Sequence, residues 1–422
     1  MLNEVFLQYI WQYALFQSGN LELTDGRSLI VLSRGILNRD AGPDFLQGKI
    51  QIGTTVWAGN IELHLKSSDW LKHHHDKDPA YENIILHVVF QHDLDTDLGN
   101  FPTLVLQPYI RPELFRTYDN LLGSPAAIPC HEQLSSVSEL VWHAWLQRML
   151  SEKWEAKFDL WNTVLKQNNN NWAELFYLVL AKMLGGRVNG DAMEELARAT
   201  PLKILAKHKD NLSHLESILF GQAGLIPFDS DKPYPISLKV HYAFYKEKYQ
   251  LKPIPMTRWK FLRMRPANFP TLRIAQLAMI IHEKEQLFSK LLDMKIGDEM
   301  FLNFKSGTSE FWNSHYTFGS EGILKEKHIG ADLQRLIVIN VVAPLTYLYG
   351  IHHGEAILKT KAMQLLEACP KENNVIIKQW KSLGVGVENA ADSQALVYLY
   401  KSYCGIKQCL QCSIGHSILK RT

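Results

Sequence analysis

The amino-acid sequence predicts an α+β protein, in which a front domain with a mixed β-sheet and flanking helices precedes a larger all-α domain. Short β-rich runs separated by Gly, Asp and Asn fill the first 125 residues, and long stretches with apolar residues at helical spacing follow. Prolines at 108, 112, 125 and 129 lie between the β-rich region and the helical region. We therefore predict two domains, over residues 1–125 and 126–422.

The front domain is predicted to begin with a helix. Residues 2–17 carry apolar side chains at helical spacing and stop at a Ser-Gly-Asn sequence. The polar, His-rich stretch 69–81 is predicted to be a short helix or an ordered loop between the third and fourth strands. The predicted strands are 28–33, 48–52, 57–65, 83–90 and 103–107.

The back domain is predicted to consist of amphipathic helices. Its tryptophans recur at helical spacing, which is typical of core positions. The proline-rich segment 226–255 is predicted to be an irregular connector. The predicted helices are 135–163, 172–184, 191–208, 270–292, 331–349 and 354–368.

Composition narrows the class of protein. Hydrophobic residues make up 46% of the chain and charged residues 21%, which is typical of a folded, soluble protein. The chain has 45 Lys and Arg residues and 43 Asp and Glu residues, so its overall charge indicates no binding partner. The front domain is net acidic and the back domain net basic. The sequence shows no run of about 18 apolar residues and no signal peptide at its start, so we predict a cytoplasmic protein without a membrane partner. Five cysteines fit a reducing compartment.

Polar residues in the front domain form a candidate catalytic constellation. Asp44 stands at the entry to one predicted strand, and Glu62, His64 and Lys66 alternate on the next. Period 2 places these three side chains on one face, and the apolar residues between them on the opposite face, which we predict to be the buried one. Two carboxylates there can bind Mg²⁺ or Mn²⁺, and His64 or Lys66 can position a water molecule.

This arrangement resembles the PD-(D/E)XK nuclease superfamily. Pro43-Asp44 matches its proline–aspartate pair and Glu62 its second acidic residue, while the order of helix, three strands, helix and strand matches its core. His64 stands where the superfamily pattern has lysine, and Lys66 follows two residues later. The resemblance implies a metal-dependent nuclease, with Glu4 on the first helix as a candidate for an additional acidic ligand.

Two other interpretations of this region stay open. Glu, His and Lys alternating on a strand are also typical of the solvent face of an antiparallel sheet. Alternatively, histidines concentrated between residues 64 and 92 indicate a His/carboxylate site for zinc or iron. Its candidate ligands are Glu62, His64, His73, His75 and His87. His87, an isolated polar residue in an apolar strand, is more typical of a satisfied core histidine. In a nuclease, His73 and His75 are candidate contacts to nucleic acid.

The cysteines form a second candidate metal motif. Cys404-x₄-Cys409-x₂-Cys412 has spacing suited to thiolate ligands, and Cys130 is the preferred fourth ligand, before His416 and Cys369. The layout resembles the iron–sulfur staple of certain nucleases of this superfamily, including CRISPR-associated exonucleases and bacterial recombination helicase–nucleases. A zinc ion and three buried, inert thiols are the alternatives.

Basic and aromatic residues alternate in the back domain between residues 258 and 273. Four arginines next to aromatic rings predict contacts to phosphates and stacking on bases, and a helix-packing junction explains them equally well. The candidate residues are Arg258, Arg263, Arg265 and Arg273.

Several short strings resemble a bacterial family of unknown function, the domain numbered 2851. They are Ala-Gly-Pro-Asp-Phe, Gly-Asn-Ile-Glu-Leu-His, Gly-Gln-Ala-Gly, Arg-Pro-Ala-Asn-Phe-Pro and the closing cysteine motif. This resemblance implies no activity. The function that the sequence favours is metal-dependent hydrolysis of DNA or RNA, and the alternative is a non-enzymatic nucleic-acid or protein adaptor with a degenerate nuclease-like domain.

Overall fold

The computed structural model describes residues 2–94, 101–297 and 299–421. The chain divides into two compact units, one formed by Met1–Gln147 with Val397–Thr422 and the other by Arg148–Leu396. The first unit contains a mixed β-sheet, and helices dominate the larger second unit. The predicted α+β class is therefore confirmed, while the domain boundary at residue 125 stays a prediction of the sequence.

The sheet of the first unit has the strand order β1-β2-β4-β5-β6-β7, with β3 paired to β4. Strands β1 to β5 pair antiparallel, whereas β5, β6 and β7 run parallel. All five predicted strands are present, β2 with the predicted ends and the other four with shifted ends. The bounds are β1 Leu21–Glu22, β2 Ser28–Ser33, β3 Ile36–Leu37, β4 Phe45–Ile52, β5 Thr55–Lys66, β6 Ile84–Gln91 and β7 Thr103–Val105.

Strand β5 is buried on both faces along its second half. Ile61 and Leu63 are buried on one face, as predicted, but Glu62 is only 4% exposed and His64 1% exposed on the other. The expectation of one buried face is therefore corrected. A strand with a parallel neighbour is normally covered on both sides, so its polar residues here are not those of a solvent face.

Helix α1 (Glu4–Gln12) contacts β5 and is shorter than predicted. The side chain of Asn3 caps its start by accepting a hydrogen bond from the backbone N–H of Phe6. It ends before Ala14, whose φ of 52° is left-handed. Because residues four apart share a face of a helix, Glu4 and Gln8 lie on the same side of α1.

The His-rich stretch after β5 is ordered, as predicted. Helix α2 (Asp69–Lys72) is followed by two 3₁₀ turns, His75–Lys77 and Pro79–Tyr81, before β6 begins. Helix α3 (Pro112–Gly123) starts at a proline in the region that we expected only to punctuate the chain, because proline is well tolerated at a first helical position. A C-terminal helix, Ser413–Arg421, completes the first unit.

The second unit differs from the prediction at its proline-rich segment. Residues 226–255 contain the 17-residue helix Pro233–Tyr249, so the predicted irregular connector is wrong. Pro233 and Pro235 lie at the start of this helix, where no backbone N–H donor is needed. Two helical segments are present between residues 172 and 199, as predicted, and they meet at the non-helical Gly186 with φ 59° within Trp172–Ala199. The predicted second helix, 191–208, ends earlier than expected, and the short helix Leu202–Leu205 follows it.

The remaining helices complete the architecture. Glu139–Gln167 and Ala390–Leu399 each include one of the points at which the chain divides into units. The others in the second unit are Leu202–Leu205, Leu212–Gln222, Pro270–Glu283, Leu287–Asp293, Glu299–Leu302, Glu310–Ser314, Ala331–Ile337, Ala343–His352, Ala356–Ala368 and Val375–Ser382. A two-stranded sheet pairs His315–Thr317 with Ser320–Glu321.

One helical stretch in the described part of the chain, Ala331–His352, is long and apolar enough to cross a membrane by length and composition. Its most apolar window is 61% buried within the protein. Such burial is typical of a helix in a protein core. A core helix is apolar because its side chains pack against other apolar side chains.

Candidate metal centre

Three histidines of the first unit converge on one point. One ring nitrogen each from His64, His73 and His75 lies within 4.8 Å of the other two. The Nε2 atom of His64 is 3.2 Å from the Nδ1 atom of His73. Among the described residues this is the one group of three or more ligand-type side chains that meets so closely. Neutral imidazole nitrogens at this spacing are suited to share a metal ion.

The carboxylate of Glu62 adds a fourth donor to this cluster. Its Oε1 atom lies 3.6 Å from Nε2 of His64 and 3.4 Å from Nε2 of His75. Glu62 and His64 project from the same face of β5, as the alternation predicted. We call the four residues Glu62, His64, His73 and His75 the histidine–glutamate cluster.

A left-handed residue brings His73 and His75 to the same place. His73 ends α2, and His74, with φ 59° and ψ 29°, reverses the chain before the 3₁₀ turn that starts at His75. The side chain of His74 is exposed and takes no part in the cluster. Tyr81 stacks on the ring of His75 with centroids 3.8 Å apart, which holds that ring in position.

His87 contacts the cluster through His64, on the buried side of the cluster. Its Nε2 atom lies 2.9 Å from Nδ1 of His64, on the neighbouring parallel strand β6. Burial lowers the pKa of both His64 and His87 to about 3, so both rings are neutral at neutral pH. If Nδ1 of His64 donates its proton to His87, the Nε2 lone pair of His64 faces the cluster, which is the tautomer that a metal ligand requires.

Asp44 lies beside Glu62 but is held by different contacts. Its backbone N–H donates to Oε2 of Glu62 at 2.9 Å. Its carboxylate accepts hydrogen bonds from Nε2 of Gln8 at 2.7 Å and from the backbone N–H of Leu63 at 3.1 Å. These donors orient Asp44 next to the cluster while leaving lone pairs on both oxygens.

Burial and mutual proximity disfavour the charged forms of the carboxyl groups in this region. Burial, with the charge of Asp44 as the next cause, raises the pKa of Glu62 to about 8. Burial raises the pKa of Asp44 to about 6, against the lowering by its hydrogen bonds. The pKa of Glu4, on α1, is also raised by burial, and its charge acts on both other carboxyls. Positive charge at this point would relieve the mutual repulsion.

The donor set fits a divalent transition-metal ion. Three imidazoles and one carboxylate are ligands that Zn²⁺, Fe²⁺ and Mn²⁺ accept, whereas Mg²⁺ prefers oxygen donors. Burial lowers the pKa of His64 to about 3, so its ring is already in the neutral form that ligates a metal ion. His87 supplies the outer hydrogen bond that metal-bound histidines normally make.

A family model, described as protein of unknown function (DUF2851), matches residues 4–375. The chain belongs to this family. The match includes the histidine–glutamate cluster and ends before the three C-terminal cysteines. No curated protein and no solved structure matches the chain.

Lys66 of the DUF2851 chain lies at the edge of this site. Its side chain is exposed and acts electrostatically on Asp93, whose pKa is lowered chiefly by hydrogen bonds from Ser68. Its backbone N–H donates to Oδ2 of Asp69. Of the two candidates for the lysine position of the nuclease pattern, His64 is therefore the one within the cluster.

The arginines of the second unit lie in different environments. Arg258 pairs with Glu195, and Arg273 donates to Gln276 and Asn268, as side chains of a packing junction do. Arg263 and Arg265 are exposed. Trp259 is buried and donates to the carbonyl of Ala223, so its ring is not available for stacking on a base.

Three supporting residues were missed by sequence reasoning. Gln8 contacts Asp44, and the signal that could have found it is its position four residues after Glu4 on the same helix. Tyr81 contacts His75 from a 3₁₀ turn, and no local pattern indicates that contact. Trp70 is buried against the rings of His64, His75 and His87.

Proposed function

We propose that the protein is a metal-dependent phosphodiesterase acting on nucleic acid, with its metal ion bound by the histidine–glutamate cluster. The observation that carries this proposal is the convergence of three histidine nitrogens within 4.8 Å beside the Glu62 carboxylate. The donor set favours Mn²⁺, Fe²⁺ or Zn²⁺ over the Mg²⁺ that two carboxylates alone suggest.

In this proposal the residues of the cluster bind the metal ion, and Asp44 beside them has a different role. A divalent ion bound there would lower the pKa of a coordinated water molecule and offset the charge of a phosphate. Glu62, His64, His73 and His75 hold that ion. Asp44 accepts a proton, because its pKa of about 6 is near neutral and Gln8 and Leu63 fix its orientation.

Access to the cluster supports a role in chemistry. His73 is exposed and His75 half-buried, whereas Glu62 and His64 are deeply buried. One side of the cluster is therefore open to a substrate while the other is fixed by the sheet. The choice of phosphodiester as substrate rests on the Pro43-Asp44 and Glu62-x-His64 resemblance and on the matching order of helix and strands.

The experiment combines metal loading with cleavage assays. The full chain is stripped with a chelator, reloaded separately with Mn²⁺, Zn²⁺, Fe²⁺ or Mg²⁺, and assayed on end-labelled single- and double-stranded DNA and RNA. We expect cleavage with a transition-metal ion and at least tenfold less with Mg²⁺. His73→Ala, at an exposed position, is expected to reduce cleavage at least a hundredfold.

His74→Asn is the matched control. His74 is the neighbouring exposed histidine outside the cluster, and asparagine tolerates its left-handed backbone. This variant should cleave like the natural chain. If every metal-loaded form is inert on all substrates, or if His73→Ala cleaves normally, the hydrolase proposal is overturned.

One observation favours a second candidate function, a non-enzymatic adaptor. The position of the nuclease lysine is held by His64, which is buried and contacts His87, while Lys66 is exposed. An adaptor would bind metal and nucleic acid without cleaving. Binding measured by fluorescence anisotropy, together with inert metal-loaded protein, would support this candidate.

A further inference from the structure

The four cysteines of the first unit border one small cavity. Cys130, Cys404, Cys409 and Cys412 line a cavity of about 20 Å³, together with Tyr403 and Gly415. Each of the four side chains is buried, and the structure contains no disulfide among the described cysteines. Cys130 comes from a distant part of the chain, so the fold rather than local spacing brings it to the other three. His416, the alternative ligand, instead contacts the hydroxyl of Tyr9 at 2.7 Å.

We propose that Cys130, Cys404, Cys409 and Cys412 together bind one metal centre as thiolates. This site is separate from the histidine–glutamate cluster and does not depend on the function proposed above. Sulfur ligands of this number select a zinc ion or an iron–sulfur cluster over hard cations such as Mg²⁺ and Ca²⁺. Its role is to fasten the segment 397–422 to the N-terminal part of the first unit.

The chain packs closely around Cys409 and Cys412. Cys412 immediately precedes the helix Ser413–Arg421, and Gly415 in the first turn of that helix lies so close to Cys409 that an added Cβ would lie 2.2 Å from the Cys409 carbonyl oxygen. This close approach places both cysteines on the border of the same cavity.

The metal ion itself would make these thiols into ligands, because a metal ion deprotonates a coordinated thiol outright. The four sulfurs are buried around one cavity, so a bound ion there would be shielded from water and held from four sides.

The geometry sets different demands for the two possible occupants. A tetrahedral zinc ion needs its four sulfurs about 4 Å apart, since each Zn–S bond is about 2.3 Å. No three of the described cysteines have sulfurs all within 4.8 Å of one another, so a zinc ion would draw them together. An iron–sulfur cluster tolerates the wider spacing because each thiolate binds a different iron, but it would expand the 20 Å³ cavity.

Metal analysis of the full chain tests the proposal. Protein purified without oxygen is analysed for zinc, iron and acid-labile sulfide. About one zinc per chain, or about four iron and four sulfide with visible absorbance, supports the site and distinguishes the two occupants. These counts are read in His73→Ala protein, in which the histidine–glutamate cluster is disabled, and adding Cys412→Ser or Cys130→Ser to that protein should lower the metal content at least tenfold.

Cys369→Ser provides the matched control. Cys369 is an equally buried free cysteine in the second unit, where it lies outside the cavity. Its substitution should preserve the metal content. If the ligand variants fail to fold, chelation of the natural chain should expose four thiols to a thiol reagent and make segment 397–422 sensitive to protease. A natural chain that contains neither zinc nor iron and takes up neither on reconstitution would overturn the proposal.

Discussion

The Nδ1 atom of His64 lies 2.9 Å from the Nε2 atom of His87 in the interior of the first unit. His87 has no exposed surface, and its own Nδ1 has no hydrogen-bond partner. A proton on either nitrogen of this pair satisfies the contact, and the tautomer with the proton on Nδ1 of His64 directs its Nε2 lone pair to the histidine–glutamate cluster. We predict this tautomer for the metal-bound protein, in which His87 is a positioning residue.

Substitution of His87 tests this relationship. His87→Leu removes the acceptor for Nδ1 of His64, so we expect metal affinity at the cluster to fall by about 10- to 100-fold. His87→Gln retains a side-chain oxygen that can accept the same hydrogen bond, and it should restore most of the affinity. Isothermal titration with Zn²⁺ and Mn²⁺ measures both. Equal affinities for the natural chain and His87→Leu would contradict the assigned role.

Glu62→Gln should have opposite effects on the metal-free and metal-loaded protein. Because burial raises the folded-state pKa of Glu62 to about 8 from its ordinary value of 4.5, its contribution to stability is present below pH 4.5 and is lost as the pH rises through 8. The variant should therefore raise the melting temperature of metal-free protein at pH 9 and leave it near the natural value at pH 4. It should also abolish the stabilisation that added metal gives the natural chain.

Calorimetry at these two pH values, with and without metal, checks that prediction. His74→Asn serves again as the control, since His74 lies outside the cluster. If Glu62→Gln instead destabilises the metal-free protein at pH 9, ionised Glu62 does not destabilise the folded state and the prediction is contradicted.

Ionisation of Glu216, in the second unit, should make the free energy of unfolding depend on pH whether or not a metal ion is bound. It is 1% exposed and accepts hydrogen bonds from Tyr234 and Ser309, and burial raises its pKa to about 7 from 4.5. Its contribution to stability is thus present below pH 4.5 and lost as the pH rises through 7, by an amount on the order of 3 kcal/mol. Glu216→Gln should flatten this part of the stability profile.

Chemical unfolding between pH 4.5 and 8 measures the profile of each protein. Tyr234→Phe is a useful companion, because it removes one hydrogen bond to Glu216 without changing a charge. It should lower stability at every pH and increase the loss as the pH rises, because the hydrogen bond from Tyr234 lowers the pKa of Glu216. Identical slopes for the natural chain and Glu216→Gln would show that Glu216 does not titrate in this range.

Substitution of Gly59 tests how closely strand β5 approaches strand β6 and the residue that precedes it. A Cβ atom at Gly59 would lie 2.6 Å from the carbonyl oxygen of Asn83 and 2.5 Å from the side chain of Ile85. Since a backbone atom cannot move aside cheaply, Gly59→Ala should destabilise the first unit by about 1–3 kcal/mol. Gly123→Ala is the control, because no atom lies within 4 Å of its added Cβ. Equal unfolding midpoints for the two variants would contradict the described strand packing.

The sequence determined those features that depend on neighbours along the chain. Alternation and β-branched runs located the five strands because side-chain direction on a strand has a period of two residues. The same period placed Glu62 and His64 on one face of β5. Local composition failed at Pro233–Tyr249, where prolines that elsewhere mark a connector begin a helix instead.

Tertiary structure decided which of the candidate residues meet. The left-handed backbone of His74 selects His73 and His75 from a run of three histidines, and the parallel pairing of β5 with β6 brings His87 to His64. Only the fold carries Cys130 to the C-terminal cysteines. Sequence patterns report the direction of a side chain within its own element, whereas these contacts depend on how elements pack, and packing is settled by burial over the whole unit.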